Sequence, residues 1–322
     1  MRINILLGIA IFWSLACGYQ NTSNEVPLED LDPNSNVTLA ILGVMQDGGR
    51  PHLGCQKSCC LADSGQGIVD YRVVSLGLYD RENSQGFIFE ATPDFVAQWN
   101  TFRSIFIGMS IEALGGILLT HAHMGHYLGL AYLGKEALNA PKVPVYAMPK
   151  MSEFLQNNGP WGQLVTNQNI QLNTLSQNDT VTLSSNVKIQ PLLVPHRDEY
   201  SETVGFRIIG PEKSALFIPD IDKWDRWDRS IITLIKEVDY AFLDATFYDG
   251  QELQNRDMSL VPHPFIVESL SLFESLEPTD RDKVHFIHFN HTNPVLDSES
   301  DAAKRVRASG FNTAYQGQLF SL

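Results

Sequence analysis

Three histidines within six residues, His121, His123 and His126, stand directly after the apolar run Ile117-Leu118-Leu119-Thr120. Such a run reads as a buried strand. Residues two apart at its end point the same way, so His121 and His123 are placed to close on one ion. His126 lies one helical turn into a segment whose apolar face carries Leu128, Leu130 and Leu133, and is placed to face a second ion. A lone histidine would be an ordinary core residue, whereas three crowded at a strand C-terminus read as ligands. The fold must therefore end a buried strand at an edge where ligands converge.

The rest of the chain supplies a core for that edge. With 43% hydrophobic and 19% charged residues, the sequence is neither disordered nor fibrous. Candidate strands are Val37–Val44, Tyr71–Tyr79, Gly86–Ala91, Ile117–Thr120, Val143–Ala147, Val187–Val194, Thr203–Ile209, Ala215–Pro219, Tyr240–Leu243 and Val284–His288. Candidate helices are Pro93–Phe102, Gly125–Leu138, Lys150–Asn157, Trp224–Lys236, Pro264–Leu276 and Ser298–Ala308, with Pro93 and Pro264 in first turns. Strands cluster early and then recur singly between helices, which predicts an α/β sandwich with sheets inside and helices outside. No internal boundary is visible, so residues 37–322 are read as one domain.

Residues 1–16 carry Arg2, an apolar run from Ile3 to Trp13 and then small residues, the build of a signal peptide. The run is shorter than the roughly 20 residues of a membrane span. Leu15-Ala16-Cys17 has the form of a bacterial lipobox, which makes Cys17 the expected lipidation site. Residues 17–36, polar and acidic with Pro27 and Pro33, read as a tether. The expectation is a lipid-anchored domain in the cell envelope, facing the periplasm or exterior. Lys and Arg number 23 against 37 Asp and Glu, a net charge of −14 that disfavours nucleic acid as a partner.

Of the four cysteines, Cys55, Cys59 and Cys60 remain after Cys17. Their spacing brings three thiolates together, as a structural zinc requires, with a fourth ligand from elsewhere; His52 is one candidate. One disulfide plus a spare thiol, or two buried apolar cysteines, is the alternative.

The segment His121-Ala122-His123-Met124-Gly125-His126 resembles the H-x-H-x-D-H hallmark of the metallo-β-lactamase superfamily. Further landmarks follow in order: His196 in Val194-Pro195-His196, Asp220 after Leu216-Phe217-Ile218-Pro219, and His288 or His291 near the end of a late strand. Within the superfamily, Gly48-Gly49-Arg50-Pro51, the three cysteines, His196-Arg197-Asp198-Glu199 and Asn293-Pro294 are similar to the pyrroloquinoline quinone biosynthesis protein B group. The resemblance covers nearly all of residues 37–322. It implies a four-layer αββα sandwich and a structural zinc on the cysteines, a feature shared with phosphodiesterases of phosphonate breakdown. It also implies one or two catalytic zinc ions held by His121, His123, His196, His126 and the terminal histidine, with Asp220 as the bridging carboxylate. Gly125 stands where the motif has aspartate, so the second ion is expected to bind weakly, with His291 as a compensating ligand. The group is cytoplasmic and tends to have lost parts of the H-x-H motif, whereas this chain has an export signal and keeps His121 and His123.

His263, in Pro262-His263-Pro264, resembles the histidine with which superfamily phosphodiesterases protonate a leaving oxygen; a cap or surface residue is the other reading. Asp47, Arg50, Arg197 and Asp198 are candidate pocket residues, and a salt-bridged support is the competing role for Arg197-Asp198-Glu199. Trp224 and Trp227 read as packing residues, and His285 as a plain strand residue. The leading expectation is an exported metallo-hydrolase acting on a phosphoester, ester or amide of a small molecule. The same donors suit iron, so an oxidoreductase or hydroxylase is the alternative, followed by a non-catalytic metal-binding lipoprotein.

Overall fold

The computed structural model describes residues 35–61, 71–106, 109–254 and 256–322. The leader, Cys17 and nearly all of the tether lie outside them. The first six strands are β1 (Val37–Gly43), β2 (Ser75–Asp80), β3 (Gln85–Phe89), β4 (Leu114–Leu118), β5 (Val143–Ala147) and β6 (Ile170–Thr174). The next seven are β7 (Val181–Thr182), β8 (Lys188–Leu193), β9 (Val204–Ile209), β10 (Ser214–Ile218), β11 (Tyr240–Asp244), β12 (Val284–Ile287) and β13 (Asn312–Thr313). A last strand, β14 (Leu319–Ser321), returns to the first sheet. The two seven-stranded sheets run β14-β1-β2-β3-β4-β5-β6 and β13-β12-β11-β10-β9-β8-β7. They form the expected sandwich of sheets inside helices.

Residue alternation explains the layers. On β1, Leu39 and Ile41 belong to the large core between the sheets, while Ala40 and Leu42 join the core under the helices. On β3, Phe87 and Phe89 take the inner side and Ile88 the outer. The sheets meet where the Phe89 ring lies edge-on to Phe206 and Phe217, with centroids 5.5 and 6.0 Å away. Each such buried side chain contributes about 1.5–3 kcal/mol. Helix α1 (Phe95–Ile105) covers the first sheet through Phe95 and Phe102, and α3 (Pro149–Asn157), which follows the short α2 (Met124–Tyr127), does so through Met151 and Leu155.

Some sequence expectations need correction. Pro93 and Pro264 precede their helices rather than opening them, since α1 begins at Phe95 and the later helix Ile266–Leu272 begins two residues after Pro264. The helix expected over Gly125–Leu138 is the four-residue α2 followed by 3-10 turns through Leu133. A Cβ on Gly129 would run into the Thr92 carbonyl oxygen, so the chain passes here at a distance only glycine allows. The expected Trp224–Lys236 helix is broken, because Ser230 caps a separate helix, Ile231–Lys236, by accepting from the Thr233 amide.

Strand direction positions the site. Strands β3, β4, β5 and β6 are parallel, as are β10, β11, β12 and β13. The ends of β4, β8, β10, β11 and β12 carry His121, His196, Asp220, Asp244 and His288. Beyond β1 the chain crosses between the sheets: Met45 bridges both Val73 and Phe289, and the Gln46 amide donates to the Phe289 carbonyl. That crossing delivers Asp47 to the same edge.

Candidate metal centre

Four side chains from three strand ends form the first group: His121, His123, His196 and Asp220. His121 Nε2 lies 2.7 Å from His123 Nδ1 and 3.4 Å from Asp220 Oδ2, and His196 Nε2 lies 3.2 Å from Asp220 Oδ1. A second group gathers beside it, where His126 Nε2 and His288 Nε2 stand 3.8 and 3.9 Å from the same Asp220 Oδ2 that His121 approaches. Asp47 Oδ1 is 3.1 Å from His126 Nε2. Asp244, His263 and His288 form a further cluster with Asp220.

The atoms behind these rings fix how they point. His196 Nδ1 faces Asp222 Oδ1 at 3.3 Å, His126 Nδ1 faces Glu90 Oε1 at 3.4 Å, and His123 Nε2 faces Glu199 Oε2 at 3.3 Å. A carboxylate can only accept, so each of these nitrogens is placed to carry the hydrogen, which would leave the opposite nitrogen's lone pair to a cation. The Thr246 hydroxyl donates to Asp244 Oδ1 at 2.7 Å and so accepts from His288 Nδ1 at 2.9 Å, leaving a lone pair on His288 Nε2. His121 Nδ1 is held by Thr120 Oγ1 at 2.8 Å. Orienting the far nitrogen in this way is how proteins build metal-binding histidines.

The donors fit a metal. Asp47 Oδ1, His126 Nε2, His196 Nε2, Asp220 Oδ1 and His288 Nε2 are buried without hydrogen-bond partners. Leaving such atoms unsatisfied costs about 1–3 kcal/mol each, and imidazole nitrogen with carboxylate oxygen is the donor set of zinc and iron. His288 (φ 67°) and Glu90 (φ 73°) also adopt the left-handed region that non-glycine residues avoid. Strain of this kind, about 1–3 kcal/mol per residue, gathers at functional sites.

His263 Nδ1 is 2.8 Å from Asp244 Oδ2 and 3.2 Å from Asp220 Oδ1. Burial opposes its charge, but the two carboxylates outweigh burial and lift its pKa to about 9. Burial also opposes ionisation of Asp220, yet the surrounding histidines hold its carboxyl well below the usual range. Arg197 pairs loosely with Glu199 at 3.7 Å, which makes these two a support for His123. Asp198 lines an open depression of about 440 Å³ beside His196 with Lys150 and Arg226. Asp47 and Arg50 line another of about 400 Å³.

The structure corrects the reading of His291. Its Nδ1 lies 3.5 Å from Cys59 Sγ and 3.4 Å from Cys60 Sγ, grouped with Cys55, Cys59 and Cys60 rather than with the histidines of the strand ends. The chain turns sharply after β12, so His288 faces inward while His291, three residues on, reaches the cysteine loop. Sulfur separations of 3.9 Å for Cys55–Cys59 and 3.8 Å for Cys59–Cys60 are too long for disulfides. They match the ~3.8 Å that separates thiolates around one tetrahedral zinc. Burial and the other thiols push Cys59 up to about 12, while burial and the nearby cations hold His291 down to about 4, in its ligating neutral form. His52 stacks on the His291 ring, centroids 4.4 Å apart, and contributes an amide to Cys60 Sγ at 3.3 Å rather than a ring nitrogen.

Sequence reasoning passed over Glu90, Asp244 and Thr246. The signal was present in two of them: Phe87-Ile88-Phe89-Glu90 and Phe242-Leu243-Asp244 end apolar strands on a carboxylate, just as Asp220 ends the stretch after β10. Trp224 and Trp227 do pack, each also donating a hydrogen bond, to Ser269 Oγ and the Leu193 carbonyl.

Residues 86–289 match the model of the β-lactamase superfamily domain. A relative named coenzyme PQQ synthesis protein B, from Nitrosococcus oceani, is 24% identical over 309 residues, spanning 86% of this chain and 97% of the relative. Among solved structures, zinc-bound PqqB from Methylobacterium extorquens superposes with a TM-score of 0.74 at 20% identity, covering 88% of this chain and all of that one. A diphosphatase of the PhnP family superposes with a TM-score of 0.60 at 21% identity, covering 88% and 96%.

Proposed function

The chain belongs to the β-lactamase superfamily, and on that premise we propose that it is a metal-dependent hydrolase acting on a phosphoester, ester or amide of a small molecule. One observation carries the reading: the Asp220 carboxylate is met by ring nitrogens of His121, His126, His196 and His288, each within 3.2–3.9 Å of one of its oxygens. His121, His123, His196 and Asp220 would hold one cation, and Asp220, His126 and His288 a second. When bound, such cations supply positive charge and lower the pKa of a water from 15.7 towards ~7.

The chain's own residues do the rest. Glu199, Asp222, Glu90 and Thr246 fix the ring orientations. Asp244 occupies His263 Nδ1, so His263 Nε2 is the atom available to give a proton to a leaving oxygen, and its raised pKa keeps the ring cationic at neutral pH. The two open depressions beside the cluster suit a small substrate. The net charge of −14 disfavours a polyanionic one.

The test is hydrolysis of bis(p-nitrophenyl) phosphate and p-nitrophenyl acetate by zinc-loaded protein. Loss of turnover in His121→Ala and Asp220→Ala is expected, and turnover unchanged in both would contradict the assignment. A second reading is favoured by the purely nitrogen and oxygen donor set together with the relatives named for coenzyme PQQ synthesis: the same cluster binds iron and supports oxidation. Iron retained after anaerobic purification, with oxygen consumption, would select it over zinc and hydrolysis.

The leader motif supports a further part of the proposal, an exported protein anchored through lipid on Cys17. Detergent-phase partitioning that disappears in Cys17→Ala tests this.

A further inference from the structure

The motif position that offers a carboxylate elsewhere in the superfamily is Gly125 here, and the space in front of it is filled. A Cβ built on Gly125 would overlap Asp47 Oδ1 and lie 2.7 Å from Asp47 Cα and 2.9 Å from its Cγ. Asp47 comes from a distant segment, the crossing after β1, three strands from β4 in the sheet order, and the backbone around it is held in place. The Val44 and Met45 amides donate to the Arg72 carbonyl, Gln46 to Phe289, and Gly49 back to Gln46. Its carboxylate is delivered beside His126 Nε2 at 3.1 Å, in a group with His288. Neither Asp47 Oδ1 nor the two Nε2 atoms has a hydrogen-bond partner, although all three are buried.

We propose that Asp47 is the carboxylate of the second cation site, together with His126, His288 and Asp220, standing in from another segment for the side chain that Gly125 lacks. The absence of a Cβ at position 125 is then a requirement of the site, because any side chain there displaces Asp47. The carboxylate count is restored, so the second site is complete rather than crippled. The inference rests on the metal-binding reading above and adds to it a ligand that the motif does not reveal.

Native mass spectrometry and zinc titration against a competing chelator read this directly, without any activity assay. In Asp47→Asn, which keeps the shape and removes the charge, one zinc equivalent is expected to be lost or weakened beyond the ~10–100-fold typical of an outer partner. Equivalents on the cysteines and on His121, His123 and His196 remain. Gly125→Ala is expected to lose the same equivalent, and Asp47→Asn combined with His121→Ala to lose two. Circular dichroism of Asp47→Asn in chelator checks that its fold matches the parent. Full retention of zinc at parental affinity in Asp47→Asn, while His126→Ala loses an equivalent, would overturn the role of Asp47 and leave the metal reading standing. A parent that binds zinc at the cysteines alone would overturn both.

Discussion

His285 offers a test of the fold that is separate from the metal chemistry. It lies within β12, 7% exposed, with its ring among Phe320, Phe242 and Tyr240 at centroid distances of 4.9, 5.5 and 6.4 Å. Burial holds its pKa down from 6.5 to about 4, only slightly offset by Asp282. The unfolded chain therefore binds the proton first as pH falls, and stability is lost between the unfolded pKa and the folded one. From about pH 7.5 to about pH 4.5 the shift amounts to about 2.5 kcal/mol at 1.36 kcal/mol per pKa unit. His285→Leu removes the titrating group and keeps an apolar side chain in the strand. Urea unfolding of parent and variant at several pH values gives the difference between them, from which the titration of the metal centre, common to both, cancels. The difference should move by about 2.5 kcal/mol in favour of the variant on acidification, most of it below about pH 6.5. A difference that stays flat with pH would refute the reasoning.

Other substitutions probe the two metal clusters. Cys59→Ser should lose one zinc equivalent, and zinc uptake by the chelator-stripped parent should release protons measurable with a pH indicator, because Cys59 holds its proton up to about 12 without a cation. Asp222→Asn removes the carboxylate behind His196 Nδ1 and should weaken zinc at the first site about 10–100-fold by chelator competition. His263→Ala should slow hydrolysis of poor leaving groups by about 10²–10⁴-fold while affecting p-nitrophenol esters little, because only the poor leaving group needs the proton.

Much of this architecture could be read from residues, for reasons that also explain the gaps. Buried strands such as Val37–Gly43 announce themselves because both faces of the chain are covered and the run is apolar but for Thr38. The strands passed over, Ile170–Thr174, Val181–Thr182, Asn312–Thr313 and Leu319–Ser321, are all at sheet edges, where one side needs no partner and polar residues are tolerated. Histidines crowded after Thr120 were legible because His121, His123 and His126 share one strand end. Asp47 was visible only as a pocket residue, since its place depends on a crossing between sheets that no local pattern encodes. His288 and His291 lie three residues apart in sequence yet serve different clusters, and only the turn after β12 separates them.

The central claim is that the strand-end cluster around Asp220 holds metal independently of the cysteine site. Elemental analysis of the purified protein, alongside His121→Ala and His196→Ala, tests it most directly. One equivalent on Cys55, Cys59, Cys60 and His291 that survives both substitutions is expected, together with one or two further equivalents that fall in each variant. A parent carrying metal on the cysteines alone, or variants whose metal content equals the parent's, would contradict it.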